Sequence, residues 1–157
     1  MKLLGLLLLF LLSGRPLLAG DFQTRIDVGD LTVKDADPAE AKPSVKAVPR
    51  KKTTLSAGKK ASVRWSLAYT GSTNRSDVLV HFYVVKEEYL GQPVIREAKP
   101  ASILLENAAT VDFHTGEDTK ADLHLAFIDP GLYMVRLEAF ADGETLVSTT
   151  IDVEVIP

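Results

Sequence analysis

The sequence predicts an all-β fold: a single antiparallel β-sandwich of seven to eight strands that follows a cleaved signal peptide. Apolar and polar residues alternate with a period of two along most segments, as in strands with one buried face. Turn residues such as the Asp142-Gly143 pair separate these segments. No segment after the leader has the 3.6-residue apolar period of an amphipathic helix. The 157 residues, 46% hydrophobic and 25% charged, suit one globular domain.

Residues 1–20 are predicted to be the signal peptide. A positive start precedes the apolar run 3–12, and small residues, Ala19 and Gly20, follow at the expected cut. An apolar helix of about ten residues spans about 15 Å, half of a hydrocarbon core of roughly 30 Å. A longer membrane span would include Arg15, whose charge raises the free energy of insertion. We therefore expect cleavage rather than anchoring, and no transmembrane span in the mature chain.

The cysteine content predicts the compartment. Residues 17–20 resemble the start of a bacterial lipobox, but Asp21 stands where the lipid-carrying cysteine would follow. The chain contains no cysteine, which excludes disulfides, thiol nucleophiles and cysteine–zinc sites. A secreted or periplasmic bacterial protein that is not a lipoprotein fits these facts.

The mature chain divides into three segments. Residues 21–33 are predicted to form an N-terminal strand of the sandwich, because alternate residues from Phe22 to Val28 are apolar or β-branched. Residues 34–50 contain three prolines and no period, which indicates a proline-containing linker. Residues 51–157 are predicted to form the sandwich itself. Its strand candidates are residues 63–69, 78–85, 103–105, 111–113, 123–127, 133–139 and 147–155.

A resemblance to immunoglobulin-like, or fibronectin-III-like, β-sandwiches comes from residues 129–135 (DPGLYMV), which are similar to the D-x-G-x-Y-x-C turn of that family. The resemblance implies that the Tyr133 hydroxyl bonds back to the backbone at a strand corner. It also places Trp65 and Val135 at the two cysteine positions, so that bulk replaces the disulfide between the sheets. The structural residues implied are Trp65, Asp129, Gly131, Tyr133 and Val135.

Residues 30–91 further resemble the bacterial cell-adhesion-related subtype of this fold. The similar stretches are LTV at 31–33, AG at 57–58, YTGS at 69–72 and VHFYV at 80–84. These motifs are structural, so the resemblance implies a fold and an extracytoplasmic setting but no catalytic residues.

The residues that could carry chemistry form no recognisable site, so we expect no catalytic residue, metal or cofactor. The chain has three histidines: His81, His114 and His124. None belongs to a short metal-binding signature, and no serine lies in a G-x-S-x-G motif. Four carboxylates surround the turn at 115–116: Asp112, Glu117, Asp118 and Asp122. Their spacing does not match a calcium-binding EF-hand, which favours a solvated turn.

The charge distribution is the most informative irregularity. Residues 41–76 hold nine basic and no acidic residues, whereas the whole chain has a net charge of −3. The candidate anion-binding or partner-binding residues are Lys51, Lys52, Lys59, Lys60 and Arg64. Three interpretations stay open: a solvated edge that discourages aggregation, a surface for an anionic partner, and head-to-tail self-association. Nucleic acid is not expected as a partner, because an exported acidic chain does not suit it.

The apolar segment 78–85 offers a second candidate surface. Alternation sends Val78 and its even-numbered neighbours into the core, so the odd-numbered residues face away. They form a candidate apolar interaction face: Leu79, His81, Tyr83 and Val85. An uncovered face of this kind marks an interaction surface. The alternative, which we favour slightly, is that the N-terminal strand or residues 86–113 cover it.

Together these features favour an exported, non-catalytic binding or adhesion-type module whose partner is an unidentified protein or an anionic cell-envelope component. The first alternative is a structural or assembly subunit of a bacterial envelope complex, whose strand edges pair with partners. A metal-binding accessory protein is the least favoured interpretation.

Overall fold

A computed structural model describes residues 19–34, 49–94 and 103–157. The predicted leader, except its last two residues, and linker residues 35–48 lie outside the described part. After a short 3-10 turn at Ala19–Asp21, the described residues form nine strands. These are β1 Phe22–Val28, β2 Leu31–Lys34, β3 Lys52–Ser56, β4 Lys60–Tyr69, β5 Arg75–Glu87, β6 Ile103–Phe113, β7 Asp118–Ala126, β8 Gly131–Ala141 and β9 Glu144–Ile156.

The nine strands make two facing sheets. One sheet has four strands in the order β2-β1-β4-β7, and the other has five in the order β3-β9-β8-β5-β6. All neighbouring strands are antiparallel except β3, which runs parallel to β9. The predicted all-β, immunoglobulin-like sandwich is therefore confirmed, with nine strands in place of seven or eight.

Two strand predictions need correction. The single strand expected at 21–33 is a hairpin, because Gly29 adopts a positive φ of 57° and turns the chain between β1 and β2. The two short strands expected at 103–105 and 111–113 are one strand, β6. Its middle, residues 106–110, pairs with β5 but is exposed, so it lacks the apolar alternation that marks a half-buried strand.

The core lies between the sheets, where alternate residues of each strand meet. The Trp65 ring on β4 stacks against Phe82 on β5, with 6.0 Å between centroids and 22° between planes. Val135 belongs to the same buried cluster, so apolar bulk fills the position that the resemblance assigns to a disulfide. A buried contact between the hydroxyls of Thr24 and Thr149 also joins the two sheets.

The turns that precede and follow β8 have the geometry that the sequence predicts. The Tyr133 hydroxyl donates to the carbonyl oxygen of Asp129 at 2.7 Å, which is the predicted strand corner. Gly131 begins β8 with a φ of 151°, a conformation that favours glycine. Asp142 and Gly143 both have positive φ, as a two-residue type I′ hairpin requires, and they connect β8 to β9.

We expect the substitution Tyr133→Phe to lower the free energy of unfolding by about 1 kcal/mol, because it removes one buried hydrogen bond without changing the packing. Chemical denaturation measures this. Tyr89→Phe is the matched control, since Tyr89 is 46% exposed, and it should leave stability unchanged. Equal stability of the two variants would show that the strand corner contributes nothing.

Candidate functional site

The four predicted lysines lie at β3, the edge strand of the five-stranded sheet, and at the turn that leads from it into β4; we call this region the β3 edge, and Lys60 in it is already the first residue of β4 in the four-stranded sheet. Lys51 and Lys52 are at the start of β3, and Lys59 and Lys60 follow the turn that leads into β4. All four are exposed. Only Lys52 has a carboxylate partner among the described residues, Glu154, at 2.6 Å.

Arg64 is separated from these lysines. It lies on β4, where it alternates with the core residues Val63 and Trp65, so it faces outward from the four-stranded sheet. Its guanidinium is 4.0 Å from Asp27 on the neighbouring strand β1. Lys52, by contrast, projects beside Glu154 from the outer face of the other sheet. The five predicted residues therefore do not form one patch.

Arg50 does not belong to the solvated basic segment. Its side chain is 2% exposed and donates to Glu87 at 3.0 Å, to Asp152 at 3.1 Å and to the carbonyl oxygen of Gln92 at 2.7 Å. The end of the predicted linker is thus fixed to the outer face of the five-stranded sheet. The sequence does not reveal this site, because its charged residues are far apart in the chain.

Ion pairing distinguishes the arginines from the edge lysines. Each arginine in the described part of the chain lies within 4.0 Å of a carboxylate: Arg25, Arg50, Arg64, Arg75 and Arg136. Lys51, Lys59 and Lys60 make no such pair with any described residue. Three unneutralised, exposed cations therefore remain along the β3 edge.

The predicted apolar face is largely covered. Tyr83 and Val85 are buried in a small cluster with Met134, against which Val94 and Ile103 pack. Residues from the 86–113 region thus cover this end of the face, which is the alternative that the sequence slightly favours. Leu79 and His81 are half-buried. The face is therefore not an open apolar patch.

His81 instead joins a polar network on this outer face. Its Nε2 lies 2.7 Å from Glu106 on β6, and its Nδ1 lies 3.3 Å from Glu138 on β8. Glu138 also accepts from Arg136 at 2.9 Å, and Arg136 donates to Thr150 on β9. A histidine donates from both ring nitrogens only when it is protonated, so two flanking carboxylates favour the charged ring.

The pKa values in the network shift in opposite directions. The hydrogen bond to Glu138 is the main cause that raises the pKa of His81 above 6.5; burial opposes it, and the hydrogen bond to Glu106 adds to it. Burial alone would raise the pKa of Glu138. The hydrogen bond from His81 and the charge of Arg136 outweigh burial, so this pKa lies below 4.5.

We expect stability to fall as pH rises above about 6.5, because of His81. Its pKa is higher in the folded than in the unfolded state, so the protonated ring stabilises the fold fully below about pH 6.5. That contribution is lost as pH rises through the folded-state pKa. Urea denaturation of a His81→Gln variant should show a flatter pH dependence. His124→Gln, at an exposed position, is the control and should keep the native slope; an unchanged slope in His81→Gln would refute the assignment.

The other predicted chemical candidates lie apart. His114 is exposed and contacts Glu117 at 3.0 Å within the 114–117 turn, and His124 is exposed on β7. The carboxylates around this turn all face solvent. Within the described ranges, no group of three or more metal-ligating side chains is placed to hold an ion.

A shallow groove lies between the two sheets at the side where β6 and β7 form their edges. It has a volume of about 310 Å³, near the lower limit for a small-molecule site. Its described lining includes Leu104, Leu125, Ile128, Tyr133 and the side chain of Lys86. The sequence does not reveal this groove, because its lining residues come from four separate parts of the chain.

Comparisons with known proteins show similarity of structure alone. No protein-family model matches the chain, and no curated protein sequence matches it. Among solved structures, the chain is similar to the crystal structure of the CARDB domain of a Pyrococcus furiosus protein in complex with di-metal ions. That match has a TM-score of 0.49 and 12% identity, and covers 87% of this chain and 88% of that one.

Two further structures are similar to a comparable degree. A solution structure of the same Pyrococcus furiosus CARDB domain matches with a TM-score of 0.48 and 12% identity, covering 87% of this chain and 94% of that one. The C-terminal domain of wzt matches with a TM-score of 0.45 and 9% identity, covering 85% of this chain and 71% of that one.

The described residues contain no helix with the length and apolar character needed to cross a membrane.

Proposed function

We propose that this protein is an exported, non-catalytic binding module that contacts an anionic cell-envelope partner through its β3 edge. The observation that carries the proposal is the set of exposed lysines along that edge, of which Lys51, Lys59 and Lys60 have no carboxylate partner among the described residues. Export rests on the predicted leader at residues 1–20 and remains part of the proposal.

The spacing of the lysines favours an extended anion over a small one. A strand rises about 3.3 Å per residue, so the two ends of β3, at Lys52 and Ser56, are about 13 Å apart. The screening length at physiological ionic strength is about 8 Å. Lys51 and Lys52 at the start of β3, and Lys59 and Lys60 after its end, therefore act on one partner only if the charges of that partner repeat along this length.

The competing interpretation is a solvated edge. Lysines on an edge strand also prevent sheet-to-sheet aggregation, with no partner at all. Salt dependence separates the two interpretations, because a polyanion held by several lysines releases its counterions on binding, and its affinity then falls steeply as salt rises. A merely solvated edge gives no such binding.

Long-chain polyphosphate is the probe for an extended anion. We expect the full chain to bind it more tightly than it binds orthophosphate. The triple variant Lys51→Gln, Lys59→Gln, Lys60→Gln should weaken polyphosphate binding about tenfold. The slope of the logarithm of the binding constant against the logarithm of salt concentration should become shallower by roughly two to three. Lys52 stays in place, because its removal would also leave Glu154 unpaired. Calorimetric titration at several salt concentrations measures both quantities.

The matched control is the triple variant Lys34→Gln, Lys86→Gln, Lys120→Gln, which makes the same change in net charge elsewhere. It should bind polyphosphate nearly as well as the native chain. Equal losses in both triple variants would mean that net charge, not the β3 edge, governs binding. Absence of salt-dependent binding by the native chain would reject the proposal outright.

A structural or assembly subunit is the second candidate function. What favours it is that each sheet ends in strands that have a neighbour on one side only, β2 and β7 in one sheet and β3 and β6 in the other. A strand with a free edge can pair with a strand of another protein.

A further inference from the structure

We propose that β6 is a self-association edge, at which two copies of the chain pair antiparallel and join their five-stranded sheets into one sheet of ten strands. This inference uses none of the lysines of the β3 edge. It deepens the second candidate function by naming the edge and the partner, and it can fail or succeed independently of anion binding.

Three of the four sheet edges in the described part of the chain are protected against pairing. β2 has four residues and ends at Lys34. β3 has five residues and presents Lys51 and Lys52 at its start. β7 is longer but carries alternating charges, among them Asp118 and Lys120. Short edges and exposed charges are the usual protection against strand pairing.

Among the residues that the structure describes, nothing of this kind protects β6. It has 11 residues and contains no lysine, arginine or proline. Its two acidic side chains are already engaged: Glu106 contacts His81 at 2.7 Å, and Asp112 accepts from the backbone amide of Asp77 at 2.9 Å. The central residues 106–110 are all exposed. The edge therefore offers backbone donors and acceptors with little charge to repel a second strand.

The geometry of β6 is also regular where pairing would occur. Its residues 105–111 pair one to one with residues 78–84 of β5, and the register shifts lie at the two ends of this run. Seven consecutive residues in regular register span about 20 Å. Bulges are among the devices that block edges, and this run has none.

The sequence of β6 is complementary to itself in one antiparallel register. Centred on Ala108, that register places Glu106 opposite Thr110 of the second copy, and Leu105 opposite Val111. No two like charges face each other, and the small side chain at the centre allows close approach. A parallel pair in register would instead set each Glu106 beside the other, which is unfavourable.

Single cysteines test this register directly, because the chain has no cysteine of its own. In the proposed dimer, two copies of an Ala108→Cys variant have Cβ atoms about 4.5–5.5 Å apart, close enough for a disulfide with small adjustment. In two copies of a Thr110→Cys variant, the Cβ atoms of the two cysteines would be about 13 Å apart along the strands. Under mild oxidation, the Ala108→Cys variant should form the disulfide crosslink at least about tenfold faster than the Thr110→Cys variant.

Light scattering of the full chain gives the second readout. We expect the mass of a dimer, and an at least tenfold higher dissociation constant for Ala108→Lys, which sets two lysines side by side at the centre. His124→Lys, at an exposed position on the protected edge β7, is the control and should dimerise normally. A monomeric native chain, equal crosslinking at positions 108 and 110, or an unaffected Ala108→Lys dimer would each overturn the proposal.

Discussion

The packing of the two sheets around Trp65 is the interaction on which the rest of the structure depends. Burying about 200 Å² of aromatic surface at about 25 cal/mol per Å² is worth about 5 kcal/mol, before the cost of ordering the side chain. That compares with 2–4 kcal/mol for a typical disulfide and about 5–15 kcal/mol of net stability for a domain. An apolar contact can therefore replace the disulfide in this cysteine-free chain. It also fixes which residues of each strand face outward.

The two outer faces of the sandwich differ in kind. The four-stranded sheet presents mostly solvated side chains such as Arg64, with the buried carboxylate of Asp27 among them, whereas the five-stranded sheet holds several buried ionised groups. Arg50 binds Glu87 and Asp152, and His81 lies between two carboxylates. Buried ion pairs cost desolvation, and removing one partner leaves an uncompensated buried charge. We infer that these groups fix the chain segments that cross this face.

The sequence predicts the parts of the fold that depend on local pattern. Alternation identifies the core side of β4 and β5, and the two turns at Tyr133 and at Asp142-Gly143 are read from their residue types. The middle of β6 cannot be predicted from alternation, because its residues are exposed on both faces and so show no apolar period. The hairpin at Gly29 is missed for a related reason: one glycine in an alternating segment is compatible with a strand or a turn.

The candidate sites are less predictable, because they depend on contacts between distant segments. Arg50 and Asp152 are 102 positions apart, and nothing in their local sequence marks them as buried partners. Arg136 and Glu138 alternate with the core residues of β8 and so lie on the outer face, but alternation does not show that their side chains are buried there. The four edge lysines are predicted as a charged segment; that two lie at the start of β3 and two at the turn into β4 follows only from the strand boundaries.

Fluorescence of Trp65, the single tryptophan of the chain, tests the central claim most directly. Acrylamide quenching and the emission maximum are measured for the native protein and again in denaturant. A ring stacked between the sheets, 8% exposed, should give blue-shifted emission and slow quenching that both change on unfolding. Native emission and quenching equal to those of the unfolded chain would contradict a sandwich built around this residue.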